Sequence, residues 1–186
     1  GGPLPFELSF GAFDNWLEAA LFGTWSANVL KAGIDIKSFS VERRFNDITQ
    51  FMVYTGCMVN TLSLSIPSSG MVTGSMELIG RNATLSATSL GTPTDVALNE
   101  PFSSDGGVLL EGGSPIAIVT GLELNLNNNV TPNFVVGSNF SYQHSYGRSD
   151  LTGTLTAFFE TAALVNKFIN ETESSLTITL VDPAAN

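Results

Sequence analysis

Few residues in this sequence are of types that could support catalysis, and they are isolated from one another. The chain has one histidine, His144, and one cysteine, Cys57. A Ser-His-Asp triad needs a nucleophile on a sharp turn, and the sequence contains no G-x-S-x-G motif. Cys57 has no basic residue within ten positions that would lower the pKa of its thiol. We therefore expect His144 to be an ordinary surface or loop residue and Cys57 to be buried in an apolar strand.

The acidic residues do not have the spacing of a recognisable site either. The 17 Asp and Glu residues could supply a glycosidase pair, but they are scattered along the chain. A zinc site needs a cluster of Cys and His, which the sequence lacks. The Gly-rich runs 105–107 and 111–113 have no phosphate-loop lysine, and we expect turns there. The sequence thus predicts no enzyme, no catalytic residues, no cofactor and no metal site.

The composition excludes several classes of protein. The 186 residues include 7 Lys and Arg against 17 Asp and Glu, which gives a net charge of −10. Seven scattered basic residues cannot neutralise a nucleic-acid backbone, so a basic nucleic-acid reader is excluded. A hydrophobic content of 43% argues against disorder, and a single cysteine excludes a disulfide framework.

The low density of charge favours a protein that associates with other chains. Charged residues make up 13% of the chain, compared with about 25% in typical soluble domains. A folded monomer of this mass exposes on the order of 8,600 Å². Some of its faces must therefore be nearly uncharged, which is natural where they are buried against neighbours.

Apolar periodicity predicts a mainly β chain with two helices. The predicted strands cover 6–10, 39–45, 51–59, 62–66, 72–79, 117–126, 151–159 and 176–180. Asp14 is in the position of the N-cap of a short helix that ends near Gly23. Glu160–Glu173 has the apolar spacing of a second helix, and 83–101 is expected to be a loop.

Two pairs of predicted strands are similar to each other. Leu62–Ile66 followed by Val72–Met76 is similar to Leu122–Leu126 followed by Leu151–Leu155. Either two similar hairpins build a two-sheet structure, or the likeness is chance among Ser/Thr-rich strands. The last predicted strand runs into turn residues at 182–183, which indicates either a returning hairpin arm or pairing with an earlier strand and a frayed tail.

Six runs, spread over about Phe6 to Pro183, have an order and spacing that point to one protein family. They are Phe13–Leu21, Ser40–Ile48, Tyr54–Asn60, Ile66–Gly74, Ser145–Ser149 and Phe168–Ser174. Together they resemble the tail tube proteins of bacteriophages with long, non-contractile tails. The resemblance implies a β-sandwich with one or two flanking α-helices, in a single domain over 1–186 that we expect to be trimmed at one or both ends. It also implies stacked hexameric rings in the virion, forming a hollow tail through which DNA passes on ejection.

The resemblance implies that strands of each subunit join a β-barrel around the channel. Alternating residues of such strands point to opposite faces. The residues expected to face a core are Leu62, Leu64, Ile66, Leu122, Leu124 and Leu126. The residues expected to face the lumen or solvent are Ser63, Ser65, Glu123 and Asn125.

The arginines are the candidate subunit-interface residues: Arg43, Arg44, Arg81 and Arg148. The adjacent pair 43–44 is open to three interpretations, namely a phosphate site, an inter-subunit ion pair with surplus carboxylates, or a solvated pair.

The expected partners are further copies of the chain, the tape measure protein, and DNA that crosses the lumen without specific binding, with no membrane. We expect the lumen to be net negative, because a basic channel would retain the DNA. The alternative function is a carbohydrate-binding or adhesive β-sandwich. That alternative predicts exposed aromatic residues on one sheet face, with Phe140, Tyr142 and Tyr146 as candidates.

Overall fold

The computed structural model describes residues 2–92, 99–115, 119–158 and 162–181. Its strands are β1 Pro3–Glu7, β2 Phe39–Phe45, β3 Gln50–Pro67, β4 Thr73–Ile79, β5 Asn82–Ser86, β6 Ser103–Glu111, β7 Ser114–Pro115, β8 Val119–Asn127, β9 Thr131–Asn133, β10 Gln143–Ser145, β11 Asp150–Ala157 and β12 Leu176–Val181. Its helices are α1 Asp14–Leu21 and α2 Ala163–Ile169. The chain is therefore mainly β, as the sequence predicts.

The largest sheet has seven strands, all paired antiparallel. Five of them form the path β1-β4-β3-β8-β11, which we call the main sheet, and β2 and β5 pair with β3 beside this path. Strand β3 is 18 residues long and takes part in two groups of strands. Its first half pairs with β2 and β5, and its second half pairs with β4 and β8. Gly56 lies between the two halves with φ of 62°, where a Cβ would come within 2.8 Å of the Arg81 side chain. The two strands predicted at 51–59 and 62–66 are thus one strand with a local change of direction.

The core lies between α1 and one face of the main sheet. Ala19 and Ala20 are fully buried against Val59, Leu62 and Met76. Alanine at these two positions lets the helix backbone approach the sheet closely, because a larger side chain would have to displace the strand residues. Two pairs of aromatic rings pack against this core at the first turn of α1, with centroid distances of 4.5 Å for Phe6–Phe13 and 4.3 Å for Trp16–Phe39.

A second, smaller sheet has the order β12-β6-β7, and a separate hairpin is formed by β9 and β10. The second sheet is joined to the first by backbone hydrogen bonds, in which Phe102 donates to Leu8 and accepts from Val72. Lys167 of α2 forms an ion pair with Glu111 at the end of β6, which ties the helix to this sheet. Within the described ranges, no helix is long and apolar enough to cross a membrane.

The first helix differs from the prediction in its two end residues. The N-cap is Phe13, which makes no capping hydrogen bond, and Asp14 is the first helical residue. There its carboxylate still lies at the positive end of the helix dipole. The helix ends at Phe22 in the left-handed conformation, with φ of 50°, one residue before the predicted Gly23.

Three other predictions are corrected by strand pairing or by a helix end. The predicted loop 83–101 contains most of β5, because the first half of β3 offers it a hydrogen-bonding edge. The predicted turn at 105–107 lies inside β6, whose partner is β12. The second helix is shorter than predicted because Glu171, with φ of 49°, ends it, and residues 159–161 lie outside the described part.

The two similar pairs of strands are both antiparallel pairs, but they build one sheet rather than two, and only the first is a hairpin, since β9 and β10 lie between β8 and β11. In the first, β4 pairs with β3, and in the second, β11 pairs with β8. The central strands β3 and β8 are neighbours. Strand β12 pairs with β6, which confirms that the last strand pairs with an earlier one, whereas the predicted turn at 182–183 lies outside the described part of the chain.

Candidate functional site

One face of the main sheet is polar and acidic, and we call it the acidic face. Residues directly opposite on neighbouring antiparallel strands share a face. Its rows, read from β1 to β11, are Glu7, Thr73, Ser65, Glu123 and Thr154; then Pro5, Ser75, Ser63, Asn125 and Thr152; then Pro3, Glu77, Thr61, Asn127 and Asp150. The predicted lumen or solvent residues Ser63, Ser65, Glu123 and Asn125 therefore lie together as two adjacent cross-strand pairs.

The charge on this face has one sign. Glu7, Glu77, Glu123 and Asp150 are all exposed on it. None of the five strands of the main sheet contains Lys or Arg. Directly neighbouring side chains are mostly Ser, Thr and Asn, which are neutral and small. The face therefore presents a negative, hydrated surface with no side chain that could hold a phosphate by its charge.

The opposite, apolar face of the sheet is covered at its centre and uncovered toward β11. The predicted core residues Leu62, Leu122 and Leu126 are buried, and Leu64, Ile66 and Leu124 are partly buried. On the outer strand β11, in contrast, Leu151 is 68% exposed and Leu155 is 36% exposed. Among the described residues, β1 pairs only with β4 and β11 only with β8, so each leaves an unpaired backbone edge. In the part of the chain that the structure describes, this end of the sheet has neither a covering layer nor a neighbouring strand.

Arg81 makes its hydrogen bonds within the chain. Its guanidinium donates to the backbone carbonyls of Ser141 and Tyr142 in the segment between β9 and β10. The hydroxyl of Ser141, which is 1% exposed, bonds to the carbonyls of Asn133 and Gln143. These contacts fix the base of the loop where it joins β9 and β10.

The other predicted interface arginines are exposed. Arg43 and Arg44 alternate on β2 and stack on the rings of Phe45 and Phe51, at 5.1 Å and 5.7 Å from the ring centroids. Such stacking stabilises an exposed guanidinium by about 0.5–1 kcal/mol. The carbonyl of Arg148 accepts a hydrogen bond from the Asn129 amide. In the described ranges, the ion pairs are made by lysines, Lys37 with Glu18 and Lys167 with Glu111. The structure does not bring the four arginines together into one site.

His144 and Cys57 both lie in strands, in surroundings typical of structural residues. His144 is half-buried in strand β10, whereas the sequence predicts a surface or loop position. Burial lowers the pKa of His144 below its usual range, despite a hydrogen bond with the Gly80 backbone, and Arg81 lowers it further. Its Nε2 is buried without a hydrogen-bond partner among the described residues. Cys57 is 3% exposed, which confirms the prediction, and burial raises the pKa of its thiol.

The described residues contain no group of three or more His, Cys, Asp and Glu that could hold a metal ion.

The aromatic residues of the carbohydrate-binding alternative do not form a row on a sheet face. Phe140 and Tyr142 are exposed in the segment between β9 and β10, and Tyr146 follows β10 with its ring 5.7 Å from that of Phe22. These side chains are positioned by the β9–β10 hairpin and the residues next to it, not by a face of the main sheet.

Sequence reasoning missed Asn128, which it treated as a residue that ends a strand. Asn128 is fully buried, and its amide donates to the carbonyls of Ala20 and Val59 at 2.9 Å and 3.1 Å. Its side-chain oxygen accepts a hydrogen bond from Ser149 at 2.7 Å. It therefore links α1, β3 and the segment before β11. A run of Asn gives no sequence signal that distinguishes this buried amide from its exposed neighbours.

A comparison with curated proteins found no match. A family model described as "Phage tail tube protein" matches residues 1–186, the whole chain. The mainly β fold, with an open sheet that does not close into a barrel over the described residues, fits a subunit of a larger tube. The chain therefore belongs to the phage tail tube protein family, a structural family of the virion tail.

Proposed function

We propose that this chain is a tail tube subunit that assembles into stacked hexameric rings, with the acidic face toward the channel through which DNA passes. The observation that carries the proposal is the acidic face itself. Four exposed carboxylates and no basic residue lie on the five strands. Because DNA affinity rises with each phosphate that a cation neutralises, a channel lined in this way would let the duplex slide.

The unpaired edges of the sheet support ring formation. An exposed strand edge is a template for pairing with another chain, and a closed barrel removes such edges. In a ring, the β11 edge of one subunit would pair with the β1 edge of the next. Six five-stranded sheets would give a barrel of about 30 strands, wider than the 16–18-stranded porins that already enclose an aqueous channel. The tape measure protein and DNA are the proposed occupants of this channel.

The first test is assembly of the full chain. Negative-stain electron microscopy of concentrated protein should show rings or tubes. A species that stays monomeric at every concentration and salt condition would contradict self-assembly.

The second test is charge reversal on the acidic face. The triple variant Glu7→Lys, Glu77→Lys and Glu123→Lys leaves one carboxylate and adds three amines to the face of each subunit. Tubes assembled from this variant in the presence of a linear duplex should retain the DNA and protect it from nuclease. Wild-type tubes should do neither, since their channel has no cation to bind phosphates.

A matched control carries the same change of charge on another surface. Asp47→Lys, Glu171→Lys and Glu173→Lys alter three exposed residues outside the main sheet. Tubes of this control should bind DNA only on their outside, where nuclease digests it. Equal protection by the control and the face variant would show that the acidic face does not line the channel.

A further inference from the structure

The segment between β9 and β10 exposes apolar side chains in a protein that is otherwise acidic. Residues 134–142 contain no charged residue. Phe134 is 65% exposed, Val136 is fully exposed and Tyr142 is 61% exposed. We call residues 134–142 the apolar loop. Exposed aromatic side chains of this kind offer roughly 150–250 Å² of contact area each, which is costly to leave in water.

The apolar loop is held in place from below. Arg81 and Ser141 bond to the backbone at its base, and Tyr142 donates its backbone N–H to Asn133 at 2.8 Å. At its tip, Ser138 bonds to the backbone of Phe140. A loop that is ordered before binding loses less conformational entropy when a partner covers it.

The same chain carries an apolar cavity that could receive such a loop. The cavity has a volume of about 310 Å³ and lies where α1 ends. Its lining includes Leu21, Phe22, Ile34, Leu126 and Tyr146, and it contains no charged residue. For comparison, a cavity of about 150 Å³ lined by apolar residues takes up benzene. The space is thus sufficient for an aromatic ring and a neighbouring aliphatic side chain.

None of the residues that the structure describes fills the entrance of the cavity. Ile34 at its rim is 89% exposed. Phe22 adopts the left-handed backbone conformation, with φ of 50°, at a helix end where glycine is usual. This strained backbone conformation is kept where the buried ring of Phe22 lies beside the cavity, 5.7 Å from the ring of Tyr146.

We infer that the apolar loop of one subunit inserts into the apolar cavity of another copy of this chain. With a net charge of −10, two copies repel each other except where uncharged surfaces meet, and both of these surfaces are uncharged. A protrusion and a cavity at different places on one chain make a heterologous contact, which generates rings or filaments. The inference rests on the proposed self-assembly and assigns a specific contact to it.

Crosslinking between two single variants tests the contact. Val136→Cys alters the loop and Ile34→Cys alters the cavity rim, and both positions are highly exposed, so both variants should fold. The natural Cys57 is buried and should not react. The two variants are mixed in equal amounts under assembly conditions and treated with a short bis-maleimide. Denaturing gels and mass spectrometry should then reveal a covalent dimer that joins the two introduced thiols.

One control variant and three patterns of products separate the possible outcomes. Replacing Val136→Cys by Leu85→Cys, which alters another exposed apolar residue, should reduce the yield of mixed dimer at least tenfold. If the wild-type chain forms tubes but the mixed variants give no dimer between the two introduced thiols, this inference is overturned and the proposed function is left intact. Absence of both tubes and mixed dimer would overturn both. If crosslinks join only two copies of the same variant, the contact is symmetric, and this result would also overturn the inference.

Discussion

At the scale of single residues, Asn128 shows how one buried polar side chain links three parts of the fold. Its two N–H groups and its oxygen bond to the carbonyls of α1 and β3 and to the Ser149 hydroxyl. A buried amide is favourable only when its hydrogen bonds are made, and here they are. The side chain therefore sets the position of α1 over the main sheet.

We predict that Asn128→Ala destabilises the subunit strongly. The carbonyls of Ala20 and Val59 would lose a donor inside the core, and each unsatisfied group costs about 1–3 kcal/mol. The expected loss is about 2–4 kcal/mol in the free energy of unfolding, measured by urea denaturation. Asn125→Ala, on the exposed acidic face, is the control and should stay within about 0.5 kcal/mol of wild type. Equal values for the two variants would contradict the assigned role.

At the scale of elements, the two similar strand pairs of the main sheet each place a glycine opposite a leucine. Gly74 lies opposite Leu64 in the β3–β4 pair, and Gly153 lies opposite Leu124 in the β8–β11 pair. At Gly153 an added Cβ would come within 3.0 Å of the Leu124 side chain. At Gly74 an added Cβ would meet the Phe6 ring of β1, so in both pairs the glycine leaves room for a large side chain on a neighbouring strand.

We predict that Gly74→Ala weakens the attachment of β1 to the sheet. A Cβ there would come within 2.7 Å of the Ser63 carbonyl oxygen and would also contact the Phe6 ring. The expected destabilisation is about 1–3 kcal/mol, since the backbone atom cannot move as a side chain can. Urea denaturation measures the change.

Gly121→Ala is the matched control for this prediction. Its added Cβ would find the nearest atom, the Ile66 carbonyl oxygen, at 3.9 Å. This variant should be neutral or slightly stabilising, because alanine restricts the unfolded chain more than glycine does. If Gly74→Ala were as stable as Gly121→Ala, the close approach at Gly74 would have no energetic importance.

At the scale of the whole molecule, the isolated subunit is incomplete at one end of its main sheet. Leu151 is 68% exposed on the uncovered end of the apolar face, although it belongs to the same row as the buried Leu62 and Leu126. In the proposed ring, a neighbouring subunit would cover it. Its burial would then contribute to association and not to the stability of the single chain.

We predict that Leu151→Asn impairs assembly and leaves the subunit folded. Burying a leucine contributes about 1.5–3 kcal/mol, so its loss should raise the concentration needed for assembly about tenfold or more. Pelleting of assembled protein over a range of concentrations gives this threshold, and circular dichroism tests the fold. Thr152→Asn lies on the opposite face of the same strand and should shift the threshold much less. A larger shift of the assembly threshold for Thr152→Asn than for Leu151→Asn would argue against a neighbour on the apolar face.

The sequence by itself determined the mainly β class, the buried strand at Cys57 and the alternation of Leu62–Ile66 and Leu122–Leu126. These are local properties, because the side chains of a strand alternate with a period of two. The scarcity of basic residues likewise follows from composition alone. The tertiary structure decided which residues meet across strands. Pairing placed Ser63 beside Asn125 and added Glu7, Glu77 and Asp150 to the same face. It also made part of a predicted loop into β5 and buried Asn128, since hydrogen-bond partners distant in sequence override local preference.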